Sequence, residues 1–303
     1  MTRFTAIDLS GLPSPAVVQL PDFAALVAQR KADVVARVRS IDPEIADVLE
    51  ATLAIEGELI TKLIESGAYR QTIHYQRVND AARAVMLAFA TGTDLEALGH
   101  YYGVTRMLVT AATANAPAVY ESDNRLRTRI QLAPEAFSTA GARGAYIFHT
   151  MAVDASIRAV GIDRPTPGAV HIFPLVAAGN GTPSDDLLAR VRLRLAGDSV
   201  RPLTDMVQVL APQIIPFSVD LALEVAAGPD LNLVRTTAEA RVRSYLATRH
   251  APGVAVHVSA ISAAAHVAGV ERVTVTSPLV DLTPSDRAAA YASAVTVTAT
   301  AAS

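Results

Sequence analysis

Residues 76–103 read QRVNDAARAVMLAFATGTDLEALGHYYG, and this stretch sets the character of the N-terminal third of the chain. Val78, Ala82, Val85, Met86 and Phe89 recur at three- and four-residue spacing, which predicts a helix with one apolar stripe. Gly92 suits the left-handed position after a helix end. Thr93, with Glu96 three residues on, has the form of a capping box for a second, short helix. Leu95 and Leu98 then face inward, and Gly103 ends that helix. This is a compact helical corner that carries no catalytic chemistry.

Working outward, the same character extends to the N-terminus. Residues 1–20 include Pro13 and Pro15, show no periodicity, and are expected to form an extended arm on another surface. A helix is predicted over residues 22–39, with Phe23, Leu26, Val27, Val34 and Val38 on its buried side. Asp42-Pro43 has the form of a cap followed by proline at the first helical position. The helix it opens is expected to reach about residue 66, with Ile45, Leu49, Ile55, Leu59 and Leu63 inward. Another helix follows from about residue 68 to 90. Residues 21–103 therefore form a helical region.

Residues 102–118 are rich in threonine and alanine and are expected to be a connector. Beyond them the pattern changes to α+β, in a middle region over 119–225 and a C-terminal region over 230–303. Three segments share one order: a helix with alternate arginines, a Gly- or Pro-containing loop, a short apolar piece and a strand. Their helices are expected at 125–136, 187–196 and 238–250, and their strand-bearing parts at 145–162, 203–223 and 254–276. Further strands are expected at 171–176 and 292–298. The last alternates with period two, so it is expected to be paired. The fold class is α+β: a mostly helical N-terminal region followed by two or three small α+β units, each burying a sheet face under helices.

Composition narrows the functional classes. The 303 residues are 51% hydrophobic and 18% charged, which marks a folded chain with ample core. Net charge is −3, and the nearest thing to a basic patch is Arg125, Arg127 and Arg129, or Arg190, Arg192 and Arg194. Alternate spacing spreads such charges around a helix, so nucleic acid is not an expected partner. There is no cysteine, hence no disulfide or thiolate metal site. No run of about eighteen apolar residues exists to span a membrane. Residues 1–21 lack the basic-then-apolar order of a secretion signal.

Several constellations suggest chemistry only at first sight. His74, His100, His149, His171, His250, His257 and His266 make no metal-ligand spacing, so no metal is expected. Ser138, His149 and Asp154 could be written as a triad, but no Gly-x-Ser-x-Gly elbow presents the serine. Residues 179–182, GNGT, lack the Gly-Lys-Ser/Thr of a phosphate loop and read as a turn into a helix capped by Thr182 or Ser184. Asp185-Asp186 and Glu56 with Glu58 sit in polar helix positions, with no aromatic platform beside them for a sugar. The sequence thus gives no catalytic, cofactor-binding or metal residue. A hydrolase or small-molecule-binding module on a similar scaffold is the alternative.

The wording of residues 76–103 also resembles the baseplate protein J family of contractile-tailed phages, and the resemblance continues in order along the chain. It is carried by Ile7-Asp8-Leu9-Ser10 and Leu12-Pro13-Ser14-Pro15, then by Glu65, Ala68, Tyr69 and Arg70. Glu121-Ser122-Asp123, Arg127, Ile130, Ala140-Gly141 and Gly144-Ala145-Tyr146 follow. Arg201-Pro202, Asp205, Val207, His266-Val267 and Gly269-Val270 complete it. The resemblance implies a non-enzymatic wedge subunit in a six-fold ring around a central hub, without cofactor. Its implied partners are other copies of itself, a wedge partner resembling tail protein I, a sheath initiator resembling lysozyme-like protein W, and hub proteins. Its implied place is a virion or tail-like particle baseplate, after synthesis in a host bacterial cytoplasm. Its implied work is assembly and passing receptor engagement to the sheath.

Overall fold

The computed structural model describes residues 7–9, 11–138, 141–197, 200–202 and 204–302. Residues 1–6 of the expected arm, Ser10, Ala140, Leu203 and Ser303 lie outside these. The chain is α+β and divides into two compact units, residues 7–101 and residues from 102 onward.

The first unit is helical. Helix α1 (Phe23–Arg39) is capped by Asp22, whose carboxylate accepts from the backbone N–H of Ala24 and Ala25. Asp42 caps α2 (Pro43–Leu53) in the same way. Helix α3 (Leu59–Ala84) packs on α1, and α4 (Gly92–His100) follows. The break falls at residues 54–58, around Gly57, and not near residue 66 as the sequence pattern suggested. Ser66-Gly67 lies inside α3. Gly67 is there for close approach: a Cβ would sit 2.4 Å from Arg30 Nη1. Helix α3 stops at Ala84 rather than 90, and residues 85–89 form turns. Helix α4 opens at Gly92 (φ +54) with Thr91 at the cap position, where no side-chain cap bond forms. Ahead of the helices, residues 11–21 hold neither helix nor strand. Asn79 of α3, 4% exposed, fastens them by accepting from Val18 N and donating to Val18 O, both at 2.9 Å.

The expected burial in this unit fails for several residues. Leu26, Ala46, Leu53 and Ala68 are buried, but Ile45, Ile55, Leu59 and Leu63 are 58%, 55%, 75% and 65% exposed. Phe23, Val78, Val85 and Met86 are exposed as well. A stripe of apolar residues specifies a face to be covered; it does not specify that the same chain covers it.

The second unit opens with strands β1 (Leu108–Thr110) and β2 (Val119–Tyr120), an antiparallel ribbon where the sequence suggested a connector. The two strands are too short to show alternation. Helix α5 (Asp123–Leu132), a 3-10 turn (Ala133–Phe137) and α6 (Arg143–Met151) lead to β3 (Ile157–Asp163) and β4 (Ala169–Val176). Helix α7 (Asp185–Leu195) and β5 (Met206–Val209) complete a three-stranded sheet ordered β3-β4-β5, antiparallel then parallel. Ile157, Ile172, Val191 and Leu195 are fully buried in the core beneath it, with Tyr146.

Strand β6 (Gln213–Val225) begins a second three-stranded sheet, ordered β7-β6-β8. Between its strands come α8 (Leu231–Arg249) and α9 (Val258–Ala265); then β7 (Val270–Ser277) and β8 (Ala288–Ala301). Central β6 is antiparallel to β7 and parallel to β8. The sequence had grouped β6 with the middle region, but its pairing joins it to the C-terminal strands. Val219, Leu221, Leu223 and Val225 alternate inward and meet Val234, Ala238, Val242 and Leu246, a four-residue stripe on α8. The segments built on α5 and α8 share an order of helix, loop, helix, strand; the one built on α7 has no second helix among its described residues.

Candidate functional site

Ser138, His149 and Asp154 do not form a relay. His149 lies in α6, 7% exposed, with Nδ1 3.4 Å from Arg194 and Nε2 buried without a partner. Burial, then the Arg194 charge, hold it below the usual histidine range. Asp154 accepts from Ser156 N at 2.9 Å and from Arg190 at 2.6 Å. Burial alone would raise its pKa, but these two donors together bring it below the ordinary carboxylate value. Ser138 terminates the 3-10 turn, its N–H donating to Glu135 O.

The other candidates also resolve into local structure. Gly179 and Gly181 have positive φ, Asn180 Oδ1 accepts from Thr182 N, and Ser184 caps α7 through Leu187 N. A Cβ on Gly181 would lie 2.5 Å from Leu175 and 2.8 Å from His250 Nε2, so the glycine is required by packing. Asp186 pairs with Arg190 at 3.2 Å. Glu56 lies in the α2–α3 connection and Glu58 at the cap position of α3, not within a helix. Among the described residues, no three His, Asp or Glu side chains gather in a metal-binding arrangement.

The alternate arginines are the main feature that sequence reasoning misjudged. Arg125 and Arg129 are one turn apart and converge instead of spreading. Glu121, its side chain fully buried, accepts from Met107 N and Arg129 through Oε1 and from Arg125 at 3.0 Å through Oε2. Arg125 also donates to the carbonyls of Met151, Asp154 and Ala155, and burial lowers its pKa despite Glu121. Arg106 reaches Glu121 O and the Asp123 carboxylate at 2.7 and 2.6 Å. This ionic knot joins the ribbon base, α5 and the α6–β3 turn. The signal for it was the spacing Glu121, Arg125, Arg129, with consecutive members four residues apart.

A second node gathers residues from distant sequence. The Tyr146 hydroxyl donates to Asp205 Oδ2 at 2.7 Å, and burial followed by that carboxylate pushes the phenol above its usual range. A Cβ on Gly141 would fall 2.7 Å from the same carboxylate oxygen and 3.0 Å from Pro202. Gly144 packs on Glu135, and Arg201 donates to Asp205 O. A third node joins the two α+β modules. Arg143 pairs with Asp286, and Arg287 with Asp163, each at 2.5 Å. Between them Gly161 meets the Asp286 carbonyl so closely that a Cβ would lie 2.1 Å from its oxygen. Gly269, at φ +91, packs on Pro229 and Val234. What this arrangement does chemically is to fix elements against one another: its carboxylates are taken by neighbouring arginines and the Tyr146 hydroxyl.

Most residues that carried the sequence resemblance in the second unit therefore belong to nodes or turns. Family models match in the same order: the baseplate J-like N-terminal domain at residues 56–113, the central domain at 138–211 and the C-terminal domain at 216–298. A curated relative, the baseplate protein J of Escherichia phage P2, is 42% identical over 283 residues, 91% of this chain and 92% of that protein. The chain belongs to the baseplate J family of phage-tail proteins.

Proposed function

We propose that the chain is a structural component of a contractile phage-tail or tail-like particle baseplate, acting as a wedge subunit around a central hub. The observation that carries this reading is the near full-length similarity to the phage P2 baseplate protein J. In this reading its work is assembly, without catalysis, cofactor, nucleic acid or membrane. It helps pass the trigger for contraction to the sheath. Its partners are further copies of itself, a tail protein I-like wedge partner, a protein W-like sheath initiator and hub proteins. The helical region to about residue 103 supplies adhesive surface. Ile41, Leu59, Leu63 and Val85 are between 65% and 80% exposed, large apolar side chains of the kind that a partner surface covers. The α+β regions beyond it supply the rigid body. Deleting the gene from its parent genome and imaging the particles by electron microscopy tests the reading. Tails without baseplate and sheath are expected; complete contractile tails would overturn it.

A further inference from the structure

Two edges in the second unit are unusual together. The β7-β6-β8 sheet ends on β7 and β8. Natural sheets protect such edges with charge, proline or cover. Strand β7 carries Glu271 and Arg272. Strand β8 is 14 residues long and has no charge, proline or glycine, only alanine, serine, threonine, valine and Tyr291. Arg243 of α8 donates to the Val295 carbonyl at 3.2 Å and covers the strand there; beyond that point Thr296, Thr298 and Thr300 are exposed, and small side chains leave room for a strand alongside.

The β1–β2 ribbon shows the matching character. It runs from the Glu121 N–Met107 O bond to the Thr113–Ala116 bridge, seven residues on the β1 side and six on the β2 side. At ~3.3 Å per residue that is a projection of about 20 Å. Residues 108–120 contain no charged side chain. Leu108, Val109, Val119 and Tyr120 are between 50% and 55% exposed. An isolated two-stranded ribbon is marginal in water, yet this one is held at its base by the buried Glu121 knot, which fixes its direction before any partner arrives.

We infer that the ribbon of one copy adds to the β8 edge of a second copy, extending that sheet by strand addition. This rests on the assembly reading and names one of its contacts. A second copy is the favoured occupant because both halves of the contact are present on each chain and neither strand carries a charged side chain of its own, within a chain that is 18% charged. Ribbon and edge are different surfaces, so the contact is heterologous and propagates around a ring or closes between two copies.

The chain has no cysteine, so engineered thiols report without background. Differently tagged full-length chains carrying Leu108→Cys, Val109→Cys or Thr110→Cys are mixed with chains carrying Ser293→Cys, Ala294→Cys or Thr296→Cys, then oxidised, in solution and in assembled particles. Disulfides between unlike tags, favoured at alternate positions, are the expected result. In parallel, Val109→Lys, an exposed change that circular dichroism should report as folded, is expected to reduce that cross-linking at least tenfold. Disulfides only between like sites, or none, would overturn the inference. Electron microscopy of the same particles keeps the outcomes apart: intact baseplates without the ribbon–β8 disulfide sink this contact and leave the assembly reading standing.

Discussion

Glu121 shows how much one buried side chain can hold. Both oxygens are taken by arginines that have left water, and the carbonyls of four other residues depend on those guanidiniums. Removing one partner from a buried ion pair costs about 3–5 kcal/mol, because the remaining charge is stranded. Glu121→Ala is expected to lose that much in urea unfolding, and a loss under about 1 kcal/mol would mean that the arginines find water. His149 provides a second test at this scale. Its folded pKa lies below the ordinary 6.5, so the unfolded state binds more protons in the acid range and stability falls as pH drops below about 6.5. Thermal unfolding of the wild type should shift down between neutral pH and pH 5, and His149→Gln should flatten that part of the profile. Equal slopes would remove His149 as the cause. The caps at Asp42 and Ser184 were legible in the sequence, since each acts on its own next turn; Asp22 was read as part of the helix that it caps. The Tyr146–Asp205 pair was not, because nothing local records a contact across 59 residues.

At the scale of elements, two glycines separate cheap from costly crowding. A Cβ on Gly67 meets the far end of a flexible arginine, whereas one on Gly161 meets a backbone carbonyl. Gly67→Ala is expected to change stability by under about 1 kcal/mol, since better helix propensity offsets moving Arg30. Gly161→Ala is expected to cost about 1–3 kcal/mol as the junction is forced open. Chemical unfolding of both variants checks the order, and a reversed order would mean that the β3 backbone yields more easily than α3. Helix α1 and strand β8 were readable from period alone. The break at residues 54–58 was not, because Gly57 and Gly67 look alike in sequence and differ only in what packs against them. The β1–β2 ribbon escaped notice because its strands are held by the knot at their base and not by an alternating face. Strand β6 was read as a strand but assigned to the wrong neighbours, since period two reveals a strand and not its partners.

For the whole molecule, the apolar residues on the helical unit carry the functional expectation. Leu59 and Leu63 are exposed in the chain by itself. Leu59→Arg and Leu63→Arg should therefore leave circular dichroism and melting near those of the wild type, while incorporation into particles falls sharply. A folded variant that assembles normally would show that this face points to water in the particle. The fold class and the family were legible because order along the chain survives where individual pieces say little. The site was not, because its residues serve packing between modules.

The junction between the two α+β modules has a mechanical consequence. Asp286 and Arg287 are neighbours on one backbone, and each grips the other module through a charge of opposite sign. Any displacement that stretches one grip drags the adjacent residue and stretches the other. The freed faces would each bear one cation and one anion, with no net repulsion to drive them apart. The two grips are therefore expected to hold together and to give way together, as the halves of a clasp do.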